Sequence, residues 1–314
     1  MVPEVSTPGV DDAGPSTPSA YYGVFDGHCG ICAATFVRNR LLDNVIAHEA
    51  YPESPAEALR DACLTTDAQF EEACSSLPEE ASGTTTIVAL VQGGRITVAN
   101  VGDSRCVLSR RGQALALSED QKPTRPPEDA RIRAAGGYID GEGFLNGQLA
   151  VSRAIGDWHL ESLKRNADGS PGPLIADPEV TSHALGSEDE FMVMASDGLW
   201  DVFSSQGAVS FARERLAAHN DPSKCSEELI AEAMNRHTSD NVTVVVVCFH
   251  ADAPLPLRTP GGGRKTEDRD KDRDVGMSRT LSTAAMSDLQ KALNAATTID
   301  AENEPGQQET AAQK

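Results

Sequence analysis

Apolar and polar positions repeat with two different periods along this chain, and the change of period marks out its elements. Residues 1–20 are rich in Pro, Ser, Thr and Gly, show no period and read as a flexible leader. Patterning begins at Tyr21: Tyr21-Tyr22-Gly23-Val24-Phe25 is a short apolar strand. Ile31, Ala34, Val37, Leu41, Leu42 and Val45 then recur at helical spacing, so a helix begins just after Gly30. Ser54-Pro55-Ala56-Glu57 is a capping box with proline at the first helical position, and it announces a second helix through Leu59, Cys63 and Phe70.

From Gly83 the period shortens. Gly83 to Val91, Ile96 to Val101 and Cys106-Val107-Leu108 are β-branched runs separated by turn residues such as Gly93-Gly94, the signature of antiparallel strands. Pro127 to Ala135, closed by Gly136-Gly137, reads as a short helix, and residues 138–157 read as hairpins. Phe191 to Ala195 is a buried strand, helices follow near 205–218 and 226–236, and Val242 to Cys248 is the most apolar strand of the chain. Helices at both ends of a mostly antiparallel set of strands predict an α+β fold rather than parallel βαβ units.

After about residue 251 the sequence turns to Pro, Gly and mixed charge and reads as a disordered tail spanning 251–314. Asp268, Asp270, Asp272 and Asp274 alternate like a calcium loop, but Arg273 stands where such a loop needs glycine and no glutamate closes it, so that reading is rejected. Ser287 to Ile299 has a weak amphipathic pattern and is taken as solvated tail.

Charge narrows the class of partner. The formal net charge is −21, of which −19 falls in the first 250 residues because 251–314 hold nine Lys or Arg against eleven Asp or Glu. Such a domain repels nucleic acid and anionic membranes. No apolar run approaches the ~18 residues of a membrane span, and the acidic start MVPEVSTPGVDD lacks the basic opening of a signal peptide. The expectation is a monomeric soluble protein of the cytoplasm, the nucleus or both. Seven cysteines fit reduced thiols, most of them small buried hydrophobes, better than a disulfide framework.

Four acids share one local context: each stands beside an apolar strand. They are Asp26 after Tyr21 to Phe25, Asp103 after Ile96 to Val101, Asp197 after Phe191 to Ala195, and Asp240 before Val242 to Val247. Singly, an Asp-Gly or Asp-Asn is a turn, since aspartate caps its own backbone and glycine supplies positive φ. Together they point elsewhere, because strand ends of one sheet system lie side by side and four clustered carboxylates repel unless cations neutralise them.

The ordered series Phe25-Asp26-Gly27-His28, Ser82-Gly83-Thr84-Thr85, Ala99 to Arg105, Leu149 to Asp157, Ala195 to Asp201 and Ser239-Asp240-Asn241-Val242-Thr243 closely resembles the metal-dependent Ser/Thr protein phosphatases, the protein phosphatase 2C or PPM-type family. The resemblance covers residues 21–250. It implies a central sandwich of two antiparallel sheets flanked by helices, and a centre of two Mg²⁺ or Mn²⁺ ions that hydrolyses phosphoserine and phosphothreonine in phosphoproteins through a metal-bridged hydroxide. Carried over, Asp26 would bridge both ions, the Gly27 carbonyl would ligate one, and Asp197 with Asp240 would hold the other. Asp103 matches a third, weaker metal position, and His28 matches the general acid that protonates the leaving oxygen.

The chain also departs from the pattern. The family carries, before the Asp-Gly-His, a strand with a phosphate-binding arginine and a Glu-Asp pair. Here no Arg or Lys precedes Arg38, and the only upstream acids, Glu4 and Asp11-Asp12, lie in sequence without strand character. Either the chain begins inside the domain, with its first strand missing, or part of the site is lost. The expectation is weak or absent activity, with a fold-retaining phosphoprotein-binding module as the alternative function. Cys29 replaces a small residue and Gln121 a histidine. Cys29 and Cys32 form a C-x-x-C pair, but a zinc or dithiol site needs further ligands or a βαβ context that the sequence does not offer. They are read as small residues where a helix begins. Arg279-Thr280-Leu281-Ser282, Thr7-Pro8 and Thr17-Pro18 are short kinase-type matches, read as incidental.

Overall fold

A computed structural model describes residues 19–75 and 81–254. Glu4, Asp11, Asp12, the two Thr-Pro pairs, the aspartates at 268–274, Arg279 to Ser282 and the 287–299 segment lie outside the described residues. Two antiparallel sheets form the centre. The first takes β1 (Ser19–His28), β2 (Gly83–Gln92), β3 (Arg95–Val101) and β7 (Glu179–Ala184) in that order, with the two-residue β6 (Ile155–Gly156) pairing the start of β2. The second runs β5 (Gln113–Ala116), β4 (Arg105–Arg110), β8 (Asp189–Ala195) and β9 (Val244–Cys248).

The period of two decides which residues fill which layer. Val24, Ile87, Ala89, Ile96 and Val98 of the first sheet face Cys106, Leu108, Met192 and Met194 of the second, forming the interior of the sandwich. The alternate residues Val88, Leu90, Ala99 and Val101 pack under α1 (Cys32–Ala47) and α2 (Pro55–Ser75) through Val37, Leu41, Val45, Leu59 and Cys63. On the far side Val107, Phe191, Val193 and Ala195 meet α6 (Ser205–His219) and α7 (Pro222–Asn235). With both faces covered, β2 and β8 read as nearly unbroken apolar runs. The α+β sandwich inferred from the sequence is therefore present, in four layers.

Several boundaries differ from the sequence reading. β1 starts at Ser19, inside the stretch read as leader, and continues through Asp26 and Gly27 to His28. The 138–157 region is not a set of hairpins: apart from β6 it holds isolated bridges, Ile139 to Leu145 and Leu145 to Leu149, wrapped around a buried Leu145. Its glycines break any ladder, and α3 (Pro126–Ala134) with α4 (Glu161–Lys164) supplies the packing through Ile132 and Leu163. β7 carries no apolar alternation because it is an edge strand with no buried residue, and only its pairing with β3 defines it. The short α5 (Asp197–Trp200) completes the elements. Three of the seven cysteines, at 63, 106 and 225, are buried, fewer than the majority expected from the sequence, and Cys29 is exposed and left-handed (φ 57°).

Candidate functional site

The register places the predicted acids at one end of the sandwich. Asp26 pairs with Thr85 and His28 with Gly83, which puts the end of β1 against the start of β2; Thr86 in turn pairs with Val101, the end of β3. The β3–β4 connection, Gly102-Asp103-Ser104, carries the chain across to the second sheet, where Arg105 pairs with Ala195 and Ala195 with Val244. Asp197 follows Ala195 after the single residue Ser196, and Asp240 precedes β9 by a few residues. Residues separated by more than 200 positions thus share one rim.

Their charges act on one another. Burial and the charges of Asp240 and Asp103 push Asp26 up to about 6, against a hydrogen bond with Asp197 and the neighbouring His28. Burial and the charge of Asp103 push Asp197 up to about 7, with Asp26 and a fifth acid, Asp201, adding to it and Lys122 opposing. Asp103 is buried and ion-paired with Lys122, whose ammonium also lies 3.8 Å from Asp197 Oδ2. Asp240 is the exposed member.

His28 has a partner that its own segment gives no sign of. Its Nε2 lies 2.7 Å from Oδ2 of Asp157, a carboxylate with no exposure whose other oxygen has no hydrogen-bond partner. Gly83 explains how they meet. It pairs with His28 on one side and with Gly156 on the other, and a Cβ there would run into both the imidazole and the carboxylate. Burial works against a charge on His28, but the hydrogen bond and charge of Asp157, helped by Asp26 and Asp103, hold its pKa above the ordinary histidine value.

A surrounding frame fixes these groups. Asp67 of α2 accepts from the Gly156 amide at 2.7 Å and is ion-paired with the buried Lys164 at 3.0 Å. Ser82 accepts from the Ala33 amide at the start of α1. Gln121, fully buried, accepts from the Gly102 amide and donates to the Asn100 carbonyl, bracing the Asp103 loop. Arg105 binds Asp120 through two nitrogens and lies over the Trp200 ring. Arg153 and Arg131 hold Glu128 down at about 2: burial opposes its charge, and hydrogen bonds from both arginines and Ser152 outweigh it.

The donor set suits a hard divalent cation: every member offers oxygen, Asp197 Oδ1 is buried without a partner, and burial together with mutual repulsion has raised two of the acids. As the side chains stand, no three His, Cys, Asp or Glu side chains among the described residues close on one point. Of the sequence-predicted residues, Asp26, His28, Asp103, Asp197 and Asp240 come together with the Gly27 backbone between the first two. Asp157, Lys122 and Asp201 were missed, since their signal is spatial. Cys29 and Cys32 stand as free thiols at the start of α1.

Known proteins align with this arrangement. A sequence model of protein phosphatase 2C matches residues 5–242. The rice (Oryza sativa subsp. japonica) "Probable protein phosphatase 2C 57" is 51% identical over 243 residues, 77% of this chain and 65% of that protein. The Arabidopsis thaliana "Probable protein phosphatase 2C 22" is 49% identical over 244 residues, 77% of this chain and 62% of that protein. The chain therefore spans a little under two thirds of the length of these relatives. Among solved structures, a serine-threonine phosphatase 2C from Toxoplasma gondii superposes with a TM-score of 0.64 at 25% identity, covering 78% of this chain and 87% of that one.

Proposed function

The chain belongs to the protein phosphatase 2C family, and from that membership we propose that it hydrolyses phosphoserine and phosphothreonine in proteins at the acidic rim. One observation carries the reading: Asp26 and Asp197, pushed up to about 6 and 7 in a cluster with Asp103 and Asp240, stand beside a histidine held by a buried carboxylate. Asp26, the Gly27 carbonyl, Asp197 and Asp240 would hold two Mg²⁺ or Mn²⁺ ions, and Asp103 a third, weaker one. Bound there, the ions would activate a water molecule and neutralise charge on the phosphoryl oxygens.

The protein's own part is positioning and proton supply. His28 keeps its proton to higher pH than an ordinary histidine and delivers it to the departing serine or threonine oxygen. Asp157, itself locked by Gly156 and Asp67, fixes the imidazole so that its orientation is set before substrate arrives. The negative surface turns away nucleic acid and anionic membranes, and family membership points to phosphoproteins as partners. No helix among the described residues is long and apolar enough to cross a membrane.

A second reading, a phosphoprotein-binding module without turnover, is favoured by the absence of three converging acids among the described residues. Phosphate release from a phosphoserine peptide, with Mn²⁺ and with EDTA, separates the two. Mn²⁺-dependent release that Asp197→Asn abolishes supports the phosphatase. Peptide binding without release selects the module, and equal release by the chain and by Asp197→Asn removes the acidic rim from the mechanism.

A further inference from the structure

Lys122 is an unusual occupant of an anionic site. Its ammonium contacts Asp103 Oδ2 and reaches to 3.8 Å from Asp197 Oδ2, and it is the cation that offsets the acids around Asp197. The neighbouring guanidinium, Arg105, is committed elsewhere, bound to Asp120 at 2.7 and 2.6 Å and stacked over Trp200. Nor is Lys122 a loose surface side chain that happens to fall here. The preceding Gln121 donates its amide to the Gly102 carbonyl, accepts from the Gly102 amide through its side chain, and gives its own carbonyl to Ser152. The segment carrying Lys122 is thus bolted to the loop carrying Asp103, and the reach of the ammonium is set by the fold.

We propose that Lys122 is a tethered cation that contends with a divalent metal ion for Asp103 and Asp197 and thereby sets the metal affinity of this corner of the cluster. The inference rests on the metal-dependent reading above. An ammonium is a donor that takes up carboxylate lone pairs, and a hard divalent ion needs those same lone pairs to complete its oxygen shell. Both cannot hold Asp103 Oδ2, so a metal ion enters there only by displacing the ammonium. The two cations are coupled unfavourably, and couplings of this kind change affinity by about 5- to 150-fold. The consequence is a site that fills only when the free metal concentration is high, with the threshold written into a lysine that is not itself a ligand.

The test is calorimetric titration of Mn²⁺ into the full chain and into Lys122→Met, which keeps the apolar stem and drops the charge. The weakest-bound Mn²⁺ is expected to bind on the order of tenfold more tightly to Lys122→Met, at the unaltered level to Lys122→Arg, and without the gain to the Asp103→Asn, Lys122→Met double variant. A folded Lys122→Met that binds Mn²⁺ no more tightly than the unaltered chain overturns the inference and leaves the metal reading standing. Failure of both proteins to bind Mn²⁺ at millimolar concentration overturns the metal reading and the inference with it. Should Lys122→Met not fold, reductive methylation of Lys122 in the unaltered chain, read by mass spectrometry, is expected to speed up several-fold on adding Mn²⁺; an unchanged or slower rate refutes displacement.

Discussion

Replacing Asp197 by Asn tests whether the acidic rim is held together at a cost in stability. The Asp197 carboxyl titrates at about 7 in the folded protein against 3.8 for an ordinary aspartate. A carboxyl raised in this way binds its proton more tightly in the folded state, so its contribution is fully favourable below about pH 3.8 and is lost as pH rises through 7. At about 1.36 kcal/mol per pH unit the loss is at most ~4 kcal/mol. The hydrogen bond to Asp26 spreads one proton over two groups, which leaves roughly half, ~2 kcal/mol, to the single substitution. Asn preserves the shape and still donates a hydrogen bond to Asp26. In EDTA, the stability difference between Asp197→Asn and the unaltered chain is therefore expected to be near zero at pH 4 and to grow to ~2 kcal/mol in favour of the variant at pH 8, a rise of about 4–8 °C in melting temperature for a domain of this size. Thermal melts by circular dichroism across that range provide the measurement. A variant that melts below the unaltered chain at pH 8, or a difference that does not change with pH, would show that the carboxylates do not strain the fold.

Other perturbations probe the frame. Gly83→Ala places a methyl group against both His28 and Asp157; it is expected to cost about 1–3 kcal/mol of stability by overpacking and to depress phosphopeptide turnover, read by urea melts and phosphate release on the same sample. Lys164→Met leaves Asp67 buried without its ion-pair partner, a loss on the order of 3–5 kcal/mol; a urea midpoint unchanged from the unaltered chain would contradict that assignment.

Much of the candidate site was legible because it lies where local sequence is most regular. Asp26, Asp103, Asp197 and Asp240 each adjoin a strand whose apolar pattern is plain, and antiparallel pairing alone suffices to bring strand ends together. Asp157 was not legible as a functional residue, because its partner is 129 positions away and its own segment, Ala154-Ile155-Gly156, pairs for only two residues. Lys122 escaped for the same reason: nothing in Gln121-Lys122-Pro123 tells a solvated lysine from one aimed at a carboxylate 19 positions upstream. β7 was missed because an edge strand with no buried residue carries no apolar period, and the 138–157 loops were misread because β-branched residues between glycines look like hairpins even when a single buried leucine organises them.

The glycines beside the acids show in physical terms where the turn reading holds and where it fails. Gly102 does adopt a conformation that favours glycine, with φ of 108°, and a Cβ on it would approach Thr85 within 2.7 Å, so it satisfies both the turn and the packing explanation. Gly198 does not: it lies within α5, and its lack of a side chain admits the Asn241 carbonyl, which a Cβ would overlap. Asn241 follows Asp240, and the Ser196 hydroxyl, which precedes Asp197, also binds that carbonyl at 3.2 Å. The Ser196-Asp197-Gly198 and Asp240-Asn241 segments are therefore clamped together by backbone contact, and their two acids share a rim because a glycine removes the volume that would hold them apart. At Asp197 the dipeptide encodes close approach between distant segments, which is what a four-acid site requires and a surface turn does not.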